Sequence, residues 1–184
     1  DAALLHGSDM LEFIEDELDV KFLFLDNFPD YRQDLPGAVH GGRTIEPQLF
    51  NYREALGKLA DYVRTDGRHP YTMQEYETWG AFTKFPWDEL NKRVEDGFAA
   101  KGHALVAMLI AACIRLNVTF AVDARVTKLL GDAQQVTGIE LEEGHTISAG
   151  SVMIASGGFE WDRQLADSLL ATRLYTMWSP PTNT

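Results

Sequence analysis

Two stretches of the chain combine residue types and spacing that could do chemistry. The first is Val152-Met153-Ile154-Ala155, a continuous apolar run that ends at once in Ser156-Gly157-Gly158. A strand buried on both faces reads this way. Residues without bulk at its carboxyl end let a ligand lie directly on the backbone, where dinucleotides sit in open α/β sheets. Ordinary tight turns share this pattern, and no GxGxxG fingerprint occurs in the chain. The second stretch is Phe28-Pro29-Asp30-Tyr31, which opens a loop rich in glycine and proline. Taken alone, it reads as a Pro-Asp turn with aromatic anchors.

Other candidates carry less. Histidines at 6, 40, 69, 103 and 145 show no two-His spacing on one helical face, and no metal site is expected from them. Cys113 lies in an apolar helical set and reads as packing rather than as a nucleophile. The sequence contains no GxSxG, Walker loop or HExxH. Seven acids and no Lys or Arg among the first twenty residues read as a solvated helix face. Asn117-Val118-Thr119 fits a glycosylation sequon and is read as coincidence.

The elements that must hold these stretches follow from periodicity. A helix is predicted over Ala2 to Leu18, with Leu11, Ile14 and Leu18 on one stripe, then a strand over Lys21 to Leu25. Asn27 to Gln48 reads as irregular and Asn51 to Arg64 as helical. Thr65 to Asp88 crowds six aromatics among polar residues, either covering something apolar or anchoring itself. Gly102 to Leu116 reads as a helix apolar on two stripes, and so enclosed by other layers. Strands are predicted at Val118 to Val122, Arg125 to Leu130, Val136 to Leu141, His145 to Ile147 and Val152 to Ala155, then a helix over Asp162 to Leu170. The turns fall at Gly131-Asp132 and Glu143-Gly144.

Composition sets the outer bounds. The 184 residues carry a formal net charge of -12, which argues against binding a nucleic-acid backbone. One cysteine excludes an internal disulfide, and the apolar run Ala104 to Cys113 is about half of a membrane span. The chain opens at Asp1 and stops at Pro180-Pro181-Thr182-Asn183-Thr184, and is expected to be an interior piece of a longer protein.

Taken in order, these segments resemble the flavoprotein family of fumarate reductases and 3-ketosteroid Δ1-dehydrogenases, most of all the steroid branch. The resemblance rests on Phe28 to Tyr31, Gly42-Arg43-Thr44-Ile45-Glu46-Pro47 and Gly102-His103-Ala104-Leu105-Val106. It continues through Ala124 to Leu130, Val136-Thr137-Gly138-Ile139, Ala155 to Glu160, and then Trp178-Ser179 and Asn183-Thr184. It covers nearly the whole chain in collinear order.

The resemblance implies an α/β fold, with residues 1–184 forming an interior part of a Rossmann-like FAD-binding domain with a β-rich excursion. The amino-terminal GxGxxG unit and an inserted catalytic domain would lie outside it, so that the piece alone would fold poorly and be inactive. FAD is the implied cofactor. Val126 would face the adenine, Ala155, Ser156, Gly157 and Gly158 the adenosine and pyrophosphate, and Asn183 and Thr184 the flavin end. The implied reaction takes a proton from one ring carbon of a 3-keto steroid and a hydride from its neighbour. Tyr31 would donate a hydroxyl to the tyrosine base, lowering its pKa, and Phe28 would wall the pocket. The implied partners are an apolar, steroid-like small molecule and an electron acceptor, in a cytoplasmic setting. A fumarate or enoate reductase of the same family, or a binding module that has kept only the scaffold, are the alternatives. The long excursion at Thr65 to Asp88 and Pro180-Pro181 depart from the steroid pattern.

Overall fold

The structure, a computed structural model, describes residues 2–65 and 69–172. It divides into two compact units, Asp1–Phe120 and Ala121–Thr184.

The first unit begins with helix α1 (Ala2–Asp16) and strand β1 (Phe22–Leu25). Strand β2 (Thr44–Pro47) pairs antiparallel with β1, Phe22 opposite Pro47 and Leu25 opposite Thr44. The sequence predicts an irregular stretch here because of its many Pro and Gly residues, and Pro47, within β2, cannot donate to a ladder. At the end of a two-stranded pair that missing donor costs nothing. Strand β3 (Phe50–Asn51) pairs with β4 (Phe98–Ala99). Asn51 then caps helix α2 (Tyr52–Leu56), its side chain accepting from the Glu54 N–H at 3.1 Å. The single helix predicted over 51–64 is split, since Gly57 swings to φ 54° and ψ −123°. A 3₁₀ segment, Gly57–Tyr62, follows.

Helix α3 (Met73–Thr78) starts in a capping box, with Thr72 accepting from the Glu75 N–H and Glu75 accepting from the Thr72 N–H. Helix α4 (Trp87–Asp96) was not foreseen; its one buried apolar residue, Leu90, gives too little periodicity to read. The aromatics of the excursion pack on one another around buried Phe85, with ring centroids 5.0 Å from Tyr71, 5.4 Å from Trp79 and 4.9 Å from Phe82.

Helix α5 (Lys101–Arg115) carries the core. Ala104, Ala107 and Met108 are buried in one cluster with Val20, Tyr52, Leu56 and Ala60, and Ala112 is buried as well. The prediction of two enclosed stripes is corrected here: Val106 is 54% exposed and Leu116 is exposed too. Alanine decides which face is buried, because small side chains let α5 approach its neighbours closely, whereas apolar periodicity gives more weight to the larger residues.

The second unit is a three-stranded antiparallel meander of β5 (Val126–Gly131), β6 (Val136–Leu141) and β7 (Thr146–Ser148), followed by helix α6 (Arg163–Leu169). Asp162 caps α6, accepting from the Leu165 N–H at 2.9 Å. Two predicted strands are not formed. Residues 118–122 run on from the end of α5, where the Val118 N–H donates to the Cys113 carbonyl. Residues 152–155 join no ladder among the described residues, and Met153 is 91% exposed. An apolar run becomes a buried strand only where neighbours hydrogen-bond to both its edges.

Candidate functional site

The loop between β1 and β2 is tied by one carboxylate. Asp30 accepts from the Val39 N–H at 3.0 Å and from Arg43 at 3.1 Å, while its own N–H donates to the Val39 carbonyl. Gln33 donates to the Asp30 and Val39 carbonyls, and Arg43 to the Gly37 carbonyl. Arg32 and Asp34 close a surface pair at 2.6 Å, and that bond holds the Asp34 carboxyl below the usual carboxylate range. The four-residue stretch is thus divided in role: Asp30 knots the loop, Phe28 turns inward and Tyr31 projects outward, 96% exposed.

Phe28 lines a cavity of about 300 Å³ together with Leu25, Ile45, Glu46, Met73 and Leu105. Glu46 is buried, and its carboxylate accepts from the Met73 N–H at 2.7 and 2.9 Å and from the Gln74 N–H at 3.3 Å. It therefore fixes the start of α3 at the cavity wall. Lys101 and Gly102, which open α5, line this cavity and also a larger one of about 700 Å³. The larger cavity is walled by Tyr71, Phe82, Phe85, Trp87 and Val106, with His69 and His103 at its polar positions. The Lys101 ammonium stands 3.7 Å from the centroid of the Tyr71 ring. His69 shares a 2.9 Å hydrogen bond with Asn91 and meets Trp87 edge-on at 5.5 Å.

Sequence reading missed Lys101 and gave His69 and His103 no role. One signal was available. A cation in the first turn of a helix faces the positive end of the helix dipole, and such a local conflict commonly marks a functional position. Tyr31 is not among the residues lining either cavity.

In the second unit, Val126 opens β5 and is 49% exposed. The ladder opposite β6 slips between Val126 and Lys128, a bulge that leaves Thr127 without a register partner. Ala155 to Gly158 are all exposed and lie outside any helix or strand, and Gly157 holds φ 84°. A Cβ on Gly158 would run into the Glu160 carboxylate. Asn183 and Thr184 lie outside the described residues.

The model of the FAD binding domain family matches residues 9–184. The chain belongs to that family. FAD is its cofactor. The turn at Ala155 to Gly158 fits a dinucleotide in two respects: its residues are exposed and Gly157 takes a left-handed conformation, while the Glu160 side chain lies against Gly158.

A 4-oxocyclohexanecarboxylate 2-dehydrogenase of Sinomonas cyclohexanicum is 61% identical over 189 residues, covering 99% of this chain and 33% of that protein. A 3-oxosteroid 1-dehydrogenase of Mycobacterium tuberculosis is 26% identical over 208 residues, covering 97% of this chain and 36% of that protein. Among solved structures, a 3-ketosteroid Δ1-dehydrogenase of Sterolibacterium denitrificans, in complex with 1,4-androstadiene-3,17-dione, superposes with a TM-score of 0.74 at 26% identity. The match covers 98% of this chain and 38% of that one. The flavoprotein chain thus spans about a third of the length of the curated relatives it matches.

Proposed function

We propose that the full-length protein is an FAD-dependent oxidoreductase that desaturates a ring ketone at the CH–CH bond beside the carbonyl, and that its substrate is a small cyclohexanone carboxylic acid. The observation that carries the choice of substrate is the contrast in identity over the same residues, 61% to the oxocyclohexanecarboxylate enzyme against 26% to the steroid enzyme. The fold likeness to a steroid dehydrogenase favours a 3-keto steroid as the second reading.

In either case the step is the same. One C–H bond breaks to give a proton to a base and its neighbour breaks to give a hydride, leaving a carbon–carbon double bond conjugated to the ketone. FAD, when bound, supplies the two-electron acceptor, and an external electron acceptor regenerates it. The chain's own residues bind and orient. Phe28 walls the substrate, and Tyr31 donates a hydroxyl that stabilises the base in its deprotonated form. Val126 and Ala155 to Gly158 take the adenosine and pyrophosphate side of FAD, and Asn183 and Thr184 the flavin end. Residues 1–184 form an interior part of the FAD domain, with a GxGxxG unit upstream.

Anaerobic mixing of the full-length holoprotein with 4-oxocyclohexanecarboxylate, and separately with a 3-keto steroid, tests this reading. Bleaching of the flavin absorbance by the ring acid and not by the steroid is the expected result. Bleaching by the steroid alone would replace the first reading with the second, and bleaching by neither would remove both.

A further inference from the structure

The larger cavity of the first unit has a charge pattern opposite to that of the chain. The protein carries 28 acids against 16 Lys and Arg. The described residues that line the cavity nevertheless include Lys101, His69 and His103, and no Asp or Glu. The other walls are aromatic, with Tyr71, Phe85 and Trp87 offering flat apolar surface.

Lys101 breaks local preference twice. Its φ of 55° is left-handed, a region a residue with a Cβ enters at a cost. Its charge sits in the first turn of α5, where the helix dipole disfavours a cation, and the Ala100 cap supplies no side-chain acceptor. The Tyr71 face offsets part of that conflict at 3.7 Å. An ammonium has three donors, so the ring contact leaves it able to bind an anion. A carboxylate placed against it would relieve the conflict with the dipole.

We propose that this cavity is a carboxylate-recognition site in which Lys101 is the charge partner of a ring acid, with Tyr71, Phe85 and Trp87 enclosing the ring. The cavity, at about 700 Å³, lies within the usual range for small-molecule sites. Lys101 also lines the smaller cavity that holds Phe28, so an acid held on its ammonium would lie beside the wall proposed for the ketone ring. Lys101 thereby becomes the residue that separates ring acids from uncharged ketones. The identity of the ring rests on the function proposed above; the charge argument does not.

The test is calorimetric titration of the full-length holoprotein with cyclohexanecarboxylate, which lacks the ketone and cannot be desaturated beside it. Cyclohexylmethanol serves as the uncharged counterpart. The wild type should bind the anion in preference to the alcohol. Lys101→Gly removes the ammonium and also suits the left-handed backbone, so the variant should fold. It should lose about tenfold or more in anion affinity and leave the alcohol unchanged, as loss of a charge-assisted hydrogen bond requires. Lys101→Met should repeat that loss, and Lys101→Arg should retain most of the preference. Anion affinity within about twofold of wild type in both Gly and Met variants, or no binding of the anion by the wild type, overturns the proposal. The two readings fail separately. An enzyme that desaturates the keto acid yet ignores Lys101→Gly loses this site and keeps its function. One that binds the anion through Lys101 but does not oxidise the keto acid keeps the site and loses the function.

Discussion

A tyrosine that is 96% exposed on a loop tip can act on a substrate only if the loop holds its backbone still. Asp30 does that, through the Val39 N–H and the Arg43 guanidinium. Asp30→Ala should therefore act through Tyr31. It should cost about 1–2 kcal/mol of stability, a partly exposed version of the usual penalty for losing hydrogen bonds to a charged group. Turnover by the full-length enzyme should fall while FAD content stays constant. Tyr31→Phe isolates the hydroxyl. If that hydroxyl donates to the deprotonated base, removing it raises the pKa of the base, so the rise of kcat with pH should move to higher pH. At neutral pH turnover should fall about a hundredfold, the low end of acid–base contributions. An unshifted pH profile with wild-type turnover would remove Tyr31 from the reaction. Phe28 and Tyr31 were singled out in the sequence because four consecutive residues matched a family pattern. Lys101 was not, since one cation at a helix start is a weak signal in sequence, and its cavity is assembled from three stretches of the chain between Thr65 and Val106.

Helix α3 is six residues long and cannot persist on propensity alone, so its position depends on two carboxylates. Glu46 accepts from its first N–H groups. Glu75 meets Arg93 of α4 through two bonds, of 3.0 and 2.7 Å. Burial pushes the Glu75 carboxyl up, but the hydrogen bonds from Arg93 and Thr72 outweigh it, leaving the pKa below the ordinary carboxylate value. A group with a depressed folded pKa stabilises the protein above its unfolded pKa, and that contribution is lost as pH falls through the folded value. Acid unfolding followed by circular dichroism should therefore be less steep in Glu75→Gln, with stability at neutral pH reduced by about 1–2 kcal/mol. Glu46→Ala should cost about 1–3 kcal/mol by leaving the first N–H groups of α3 unpaired, and it should also reshape the smaller cavity that Glu46 and Met73 line. At this scale most of the helices and the meander were readable from periodicity and turn residues. What escaped had separate causes: β2 forms by pairing with β1, α4 buries only Leu90, and the buried face of α5 is set by small alanines.

Over the whole molecule, the two predicted strands that do not form share one property: an apolar sequence with no ladder partner among the described residues. Val118, Phe120 and Val122 are exposed, as are Met153 and Ile154, the latter 69% so. Water contact over that much apolar surface is costly, at about 25 cal/mol per Å². The chain spans about a third of the length of its curated relatives, and a full-length protein of their size would offer these runs further chain to pair with. A charge placed in such a run should then distinguish the two settings. In the full-length protein, Met153→Asp should lower stability by more than about 3 kcal/mol and reduce bound FAD, because the run leads directly into the turn at Ala155 to Gly158 and a charge would be buried unpaired. In the 184-residue chain expressed alone, the same substitution should stay within about 0.5 kcal/mol of the parent, as exposed positions do. Binding of a hydrophobic dye should be strong for the short chain and weak for the full-length protein. Equal tolerance of Met153→Asp in both would mean that this run stays at the surface and that no further chain packs on it.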